Sequence, residues 1–424
     1  MKRAVATALL ATLTCCELSF AQQGPPRDPP PRRQQAREPA QRYSIEQAIS
    51  DNAQLHTIAF SGLAFVTGDF GACTFLPPGK VCDFFGFQYM RDIDRSEKGH
   101  NPMFLDRITA NVLQTLSPAQ RSALEKLARE QAPQYRELAE KRWPLIKAFC
   151  LELNGKTPER AHLSQDAVVR YLGDLFARDA EMSYRRAEVV GGIVASFTAE
   201  QRAALAKLKF GDFSTWPAVD MESYKLPRGT EKMVNVGYMT YASELFSWYA
   251  GSVDADTYFC PERHGTYFGG FYMKDMPAMG KRDFDISTSV TGDSGQEFLR
   301  VLTPEQRACI TEIPAKQQAA MRGIVEVRRA ISVELRKFMA GKTPDKAKVL
   351  SLGRHYGELD GQVSYLYAAA FAKVNRTLSD EQCRTLVKLR NLDGYTSAPA
   401  YVYSDAVKEP PEPMNTGVFF AATP

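Results

Sequence analysis

The chain has 424 residues, more than one ordinary core accommodates, so length alone predicts two or three domains. Charged residues are 24% and hydrophobic ones 44%, a globular balance, and 53 Lys plus Arg against 49 Asp plus Glu leave no basic surface dedicated to nucleic acid. The five histidines fall in neither HExxH nor a Cys/His zinc spacing, GxSxG is absent, and no GxGxxG or GxxxxGK[ST] stands between a strand and a helix.

In chain order, Lys2 and Arg3 precede an apolar run over 4–13 and the small-x-small triplet Ser19-Phe20-Ala21, which predicts a secretory signal peptide over 1–21. The mature protein is then periplasmic or secreted. No later run reaches the ~18 apolar residues of a membrane span, so no integral span is expected. Residues 22–42 hold six prolines among many Gln and Arg and read as a semi-extended tether, which would act as a spacer if the protein is a structural envelope component. At the other end, 396–424, with Pro399, Pro410, Pro411 and Pro413, reads as an irregular tail.

Between these ends the chain is written twice. Gly155-Lys156-Thr157-Pro158-Glu159-Arg160-Ala161 returns 186 positions later as Gly341-Lys342-Thr343-Pro344-Asp345-Lys346-Ala347. Asp179, Ser183 and Tyr184 recur as Asp360, Ser364 and Tyr365, and Tyr89-Met90-Arg91-Asp92 as Tyr272-Met273-Lys274-Asp275. The copies span 43–210 and 230–395. Each opens with an apolar helix (44–65 and 231–249) and continues through a Gly- and aromatic-rich insertion without periodicity. Long stretches follow with apolar residues three and four apart, such as Leu124, Leu127, Leu145 and Phe149. Pro133 and Pro144 are expected to kink or divide that stretch. Period-two alternation is not sustained anywhere, so the fold class is all-α: two tandem helical modules, each with an irregular insertion.

Removal of the leader leaves six cysteines, and an even number in an oxidising compartment favours disulfides. Cys73 and Cys82 flank Pro77-Pro78-Gly79 and suit a local loop closure. Cys309 and Cys383 sit in two related helices and are expected to pair, which leaves Cys150 with Cys260 as the remainder.

Four pentapeptides carry the strongest local signal: Leu116-Ser117-Pro118-Ala119-Gln120, Phe197-Thr198-Ala199-Glu200-Gln201, Leu302-Thr303-Pro304-Glu305-Gln306 and Leu378-Ser379-Asp380-Glu381-Gln382. Ser or Thr at the N-cap accepts from the N3 amide, and Gln at N3 reaches back to the N-cap amide. The first-turn prolines lose no hydrogen bond there, and the first-turn acids favour the positive end of the helix dipole. Residue N4 is Arg or Cys, so the leading Leu or Phe is expected in the core.

On these motifs the chain resembles the LTxxQ family of periplasmic proteins, the Spy and CpxP type, over roughly 105–208 and 296–391. The resemblance implies long antiparallel helices forming a curved cradle, no catalysis, and an ATP-independent chaperone or stress-response role. It also implies partly unfolded envelope proteins or a sensor protein as partners. Duplication would fuse two cradle halves in one chain, giving a monomer with two pseudo-equivalent halves, or a homodimer. The aromatic insertions and the cysteines depart from the family pattern.

Other candidates carry two readings each. The motif residues are helix caps or ligand contacts. Asp179, Ser183 and Tyr184, with Asp360, Ser364 and Tyr365, are expected to form an inter-helix hydrogen-bond network. Met273, Met276 and Met279, with Cys260 and His264 upstream, would suit copper(I), or a copper- or zinc-class sensor, but methionines also fill gaps beside aromatics. The aromatic blocks, Phe70 to Tyr89 and Tyr258 to Tyr272, either plug each helical unit or line a concave binding surface. No resident cofactor and no nucleophile–base pair is expected.

Overall fold

In a computed structural model of the chain, the residues that can be described are 42–43, 49–70, 102–208, 216–258, 286–287, 292–391, 410 and 412–422. They are overwhelmingly helical, and residues 40–424 form one compact unit. In the first copy the elements are α1 (Asp51–Thr67), α2 (Pro102–Thr115), α3 (Pro118–Leu153), β2 (Ala161–Leu163), α4 (Gln165–Ala195) and α5 (Ala199–Leu205). The second supplies α6 (Lys232–Ala250), α7 (Val253–Tyr258), α8 (Gly292–Val301), α9 (Pro304–Thr311), α10 (Ile313–Leu335), α11 (Lys346–Asn375) and α12 (Asp380–Arg390). Two short antiparallel ladders complete the set: β1 (Arg42–Tyr43) with β3 (Ile286–Ser287), and β2 with β4 (Phe420–Ala422) near the C-terminus.

Local chemistry sets most boundaries. The opening helix begins at Asp51 because Ser50 Oγ accepts from Ala53 N, and α1 and α6 both stop at a glycine, Gly68 and Gly251, 183 residues apart. Against expectation, α3 is not divided: it runs 36 residues through both Pro133 and Pro144. Pro133 lies on the exposed face, so the carbonyl that loses its partner faces water. The second copy does break, at Glu312, where α9 gives way to α10 just before Pro314.

The copies interlock. Helix α1 packs against α8, α10 and α12 of the second copy, whereas α6 packs against α2 and α3 of the first. Between them lies the most extensive helix–helix contact in the molecule, α4 against α11. Gly353 of α11 faces Ala180, Gly357 faces Phe176 and Leu172, and Gly361 faces Val169, so the two helices run antiparallel. A Cβ on Gly361 would sit 2.7 Å from Val169 Cα, and one on Gly357 would collide with Leu172 O. Three glycines at four-residue spacing therefore set how closely the halves approach. Phe176 and Tyr356 meet edge-on at 4.7 Å beside this stripe, and Tyr184 Oη crosses it to donate to Pro344 O at 3.1 Å.

One hydrophobic core runs through both copies, and its largest buried side chains include Trp143, Trp248, Tyr241 and Tyr356. Among the described residues, no helix is long and apolar enough to cross a membrane.

Candidate functional site

All four pentapeptides form complete capping boxes. Ser117, Thr198, Thr303 and Ser379 each accept from the amide of the Gln three residues on, and each Gln oxygen accepts the cap residue's own amide. First-turn acids respond to the same geometry: Glu200 and Glu305 are held below the ordinary carboxylate range, chiefly by accepting from their own backbone amides and then by the cap hydroxyls of Thr198 and Thr303. Leu116, Phe197 and Leu302 are buried, and Leu378 packs against the core from its edge.

The boxes also join in pairs. Gln201 Nε2 donates to Gln120 Oε1 at 2.7 Å, and Gln120 Nε2 returns to Gln201 Oε1 at 3.4 Å. Each amide then finishes on the opposite strand of the junction: Gln120 on Ser196 Oγ at 2.9 Å, Gln201 on Thr115 O at 2.9 Å. In the second copy Gln382 Nε2 donates to Gln306 Oε1 at 2.8 Å and to Val301 O at 2.8 Å, while Gln306 Nε2 reaches Thr377 O at 2.9 Å. Residues 81 or 76 apart thus clasp reciprocally, binding the start of one helix hairpin to its return.

Sequence reasoning missed the next residue. Arg121 Nη1 donates to Leu113 O at 3.0 Å and to Leu116 O, and Arg307 donates to Leu299 O and Leu302 O at 2.9 and 3.2 Å. Arg202 does the same to Val194 O at 3.1 Å. In these three motifs the position that looked like a failed staple is a C-terminal cap for the preceding helix, so each of the three ends one helix and starts the next. Its signal was Arg directly after Gln in three motifs out of four.

Cys383 fills that position in the fourth motif, and its expected bond to Cys309 is not formed: both thiols are free. Cys309 lies three residues beyond its motif Gln and Cys383 only one, which turns the two side chains about 200° apart around equivalent helices. Cys309 Sγ contacts Glu305 O on its own helix at 3.5 Å. Cys150 is disulfide-bonded. Cys73, Cys82, Cys260, His264, Met273, Met276 and Met279 lie outside the described residues, as does most of both aromatic blocks. Among the described residues no three His, Cys, Asp or Glu side chains group to hold a metal ion.

Two buried polar centres were not legible as clusters. In the first, Arg186 of α4 spans both carboxylate oxygens of Glu244 of α6 at 3.2 Å, with both side chains almost fully buried. Arg186 Nη2 also donates to Ser183 Oγ at 3.3 Å. Beside the pair, Tyr241 Oη donates to Gln131 Oε1 at 2.6 Å and shares a hydrogen bond with Tyr135 Oη at 3.1 Å. Burial pushes the hydroxyls of Tyr135 and Tyr241 well above the ordinary phenol value, so both stay neutral donors. In the second centre, Arg336 and Ser332 donate to Asp256 at 2.6 and 2.5 Å, and Arg328 donates to Thr257 O, Asp256 O and Tyr356 Oη at 2.8, 2.7 and 2.9 Å. Of the expected Asp–Ser–Tyr network, Ser364 Oγ donates to Asp360 Oδ2 at 3.3 Å within α11, and Tyr184 bridges the copies.

On the surface, a groove of about 160 Å³ lies between α3 and α4, floored by Leu138 and Met182 and rimmed by Glu137, Lys141, Arg178 and Glu181. Lys141 and Arg178 both pair with Glu137, at 2.9 and 2.8 Å, and Lys346 pairs with Glu181 at 2.8 Å. This rim is committed to exposed ion pairs rather than aimed at a ligand. Comparison of the chain with family models, with curated proteins and with solved structures found no match.

Proposed function

We propose that the protein is an exported, non-catalytic helical scaffold that reversibly captures partly unfolded envelope proteins without ATP. The observation that carries this reading is the pair of reciprocal glutamine clasps, one in each copy, joining capping boxes of LTxxQ type. They give the motif a reason to recur twice per module, as scaffolding for helix ends, and leave recognition to other surfaces. Supporting it, the buried ionisable groups serve the scaffold: Arg186 answers Glu244, and Asp256 answers Arg336. The aromatic side chains in the two insertions supply apolar contact area. Suppression of aggregation follows if those contacts are transient and unselective.

The test is light scattering from an aggregating client, with mature protein added at substoichiometric to equimolar ratios and no nucleotide. Dose-dependent suppression absent with an inert helical control is the expected result; none at equimolar ratio retires the reading. Metal sensing is the second reading, favoured by Met273, Met276 and Met279 at three-residue spacing with His264 upstream in the sequence. It requires stoichiometric copper(I) that Met276→Leu with Met279→Leu abolishes.

A further inference from the structure

The copies differ where the long helix hands over to its partner. Pro158 and Pro344 are 186 positions apart, yet the helix N-caps that follow, Ser164 and Asp345, are only 181 apart. Although Glu159-Arg160-Ala161 resembles Asp345-Lys346-Ala347 in sequence, the N-caps superpose Ser164 on Asp345, so five residues of the first copy, 159–163, have no structural counterpart in the second. They contain Arg160, whose φ of 54° reverses the chain, and the strand β2.

That strand has one partner, the C-terminal tail. Ala161, His162 and Leu163 pair antiparallel with Ala422, Ala421 and Phe420, and Ser164 N extends the ladder to Phe419 O at 2.8 Å. Phe419 is fully buried, its ring meeting Tyr171 edge-on at 4.8 Å, and Tyr171 is itself held by donating to Lys141 O. Among the described residues the tail is otherwise held by Met414, which packs partly buried against the core, and by one exposed pair, Lys147 with Glu412 at 3.3 Å. The site is thus a backbone edge beside a ring-sized pocket. Such an edge hydrogen-bonds any extended chain, and only the pocket selects, for an aromatic side chain.

We propose that this turn is a strand-accepting socket for extended peptides bearing an aromatic residue, and that the tail is its tethered, displaceable occupant. A three-residue, two-stranded ladder is marginal by itself. What keeps the tail seated is burial of the Phe419 ring, the partly buried Met414 and Phe420 beside it, and covalent attachment to the chain, which holds it at a local concentration of roughly millimolar. The inference rests on the reading of the protein as a binder of partly unfolded chains, since those present extended aromatic segments; the tail then acts as a resident competitor.

The test uses the full mature chain, a Phe419→Ala variant, and an Ala161→Cys/Ala422→Cys variant whose directly opposed residues lock the tail when oxidised. The probe is a fluorescent peptide of residues 412–422, alongside the same peptide with Ala in place of Phe419. Saturable one-to-one binding to Phe419→Ala at least tenfold tighter than to wild type, with no binding to the locked variant and none of the Ala peptide, is the expected outcome. Failure of a natively helical Phe419→Ala variant to bind, or equal binding of both peptides, overturns the socket. Should that variant lose helicity, the cysteine variant still decides: excess peptide slows its Ala161→Cys/Ala422→Cys disulfide formation if the tail is displaceable and leaves the rate unchanged if it is not. In the scattering assay, loss of suppression on locking supports client use of the socket, and full suppression by the locked variant overturns it. Peptide binding with no suppression by any variant retires the chaperone reading while the socket stands.

Discussion

The two places where an opening helix docks onto the opposite copy have one geometry and opposite chemistry. By the offsets between copies, Tyr241 and Glu244 of α6 correspond to Ile58 and Ser61 of α1, and the positions that receive them change in step. Gln131, Tyr135 and Arg186 of the first copy become Gln317, Met321 and Tyr367 of the second. One site is closed by a buried ion pair, whereas the other is packed by rings, with Phe371 5.8 Å from Phe65 and 5.5 Å from Tyr367. Only the glutamine survives, turned to different partners: Gln131 accepts from Tyr241, and Gln317 donates to Gln54 at 2.9 Å. The difference teaches that a duplicated scaffold needs a way to tell its halves apart. With α1 in the place of α6, the buried Arg186 guanidinium would lose the carboxylate of Glu244; with α6 in the place of α1, Glu244 would lose Arg186. A buried ion pair adds little net stability against apolar packing, but breaking it is costly, which is the property that specifies one pairing over another.

The largest expected effect comes from importing one copy's chemistry into the other. Glu244→Ser removes the carboxylate that the buried Arg186 guanidinium spans and should cost about 3–5 kcal/mol in urea unfolding. Ser61→Glu, which buries a carboxylate in the ring-packed site, should cost a comparable amount, and an effect below about 1 kcal/mol for either would break the comparison. Adding Arg186→Tyr to Glu244→Ser should recover most of the loss, because the uncompensated charge is gone; a strictly additive double-mutant cycle would argue against the pair.

Next come the clasps, where the halves should agree. Gln120→Ala and Gln306→Ala each remove a cap and a cross-bridge and should cost about 1–2 kcal/mol, similar within error. Gln120→Ala with Gln201→Ala should cost less than their sum, since the two amides satisfy each other.

The smallest effect is acid-side and confined to the second copy. Hydrogen bonds first from Lys337 and then from Lys348 hold the Glu334 carboxylate below its ordinary range. A depressed folded value contributes stability that is complete above the unfolded glutamate value, about 4.3, and is lost as pH falls through and below it. Glu334→Gln should therefore flatten that limb of a stability–pH curve by no more than about 1 kcal/mol, given that both lysines are substantially exposed.

Helix identity and the four caps were legible in the sequence because each rests on residues within a turn or two of one another. Ser117 with Gln120 needs three residues, and the apolar spacing of α4 needs one helix. Of the two outcomes expected for prolines 133 and 144, division of α3 does not occur, because exposure decides whether a freed carbonyl is satisfied by water. Cys309 and Cys383 do not pair, because a similar place in a helix is not the same azimuth.

By itself, then, the sequence determined an all-α chain with its helix starts marked by hydroxyl–glutamine boxes. Only the tertiary structure decided that each opening helix crosses to the other copy, that the glutamines clasp in pairs, that Arg186 finds Glu244 58 residues away, and that the tail closes on β2. The reason is range. Caps and periodicity are satisfied by atoms a few residues apart, whereas the partner of a buried charge or an unpaired strand edge is fixed only when distant segments are brought together and water is excluded.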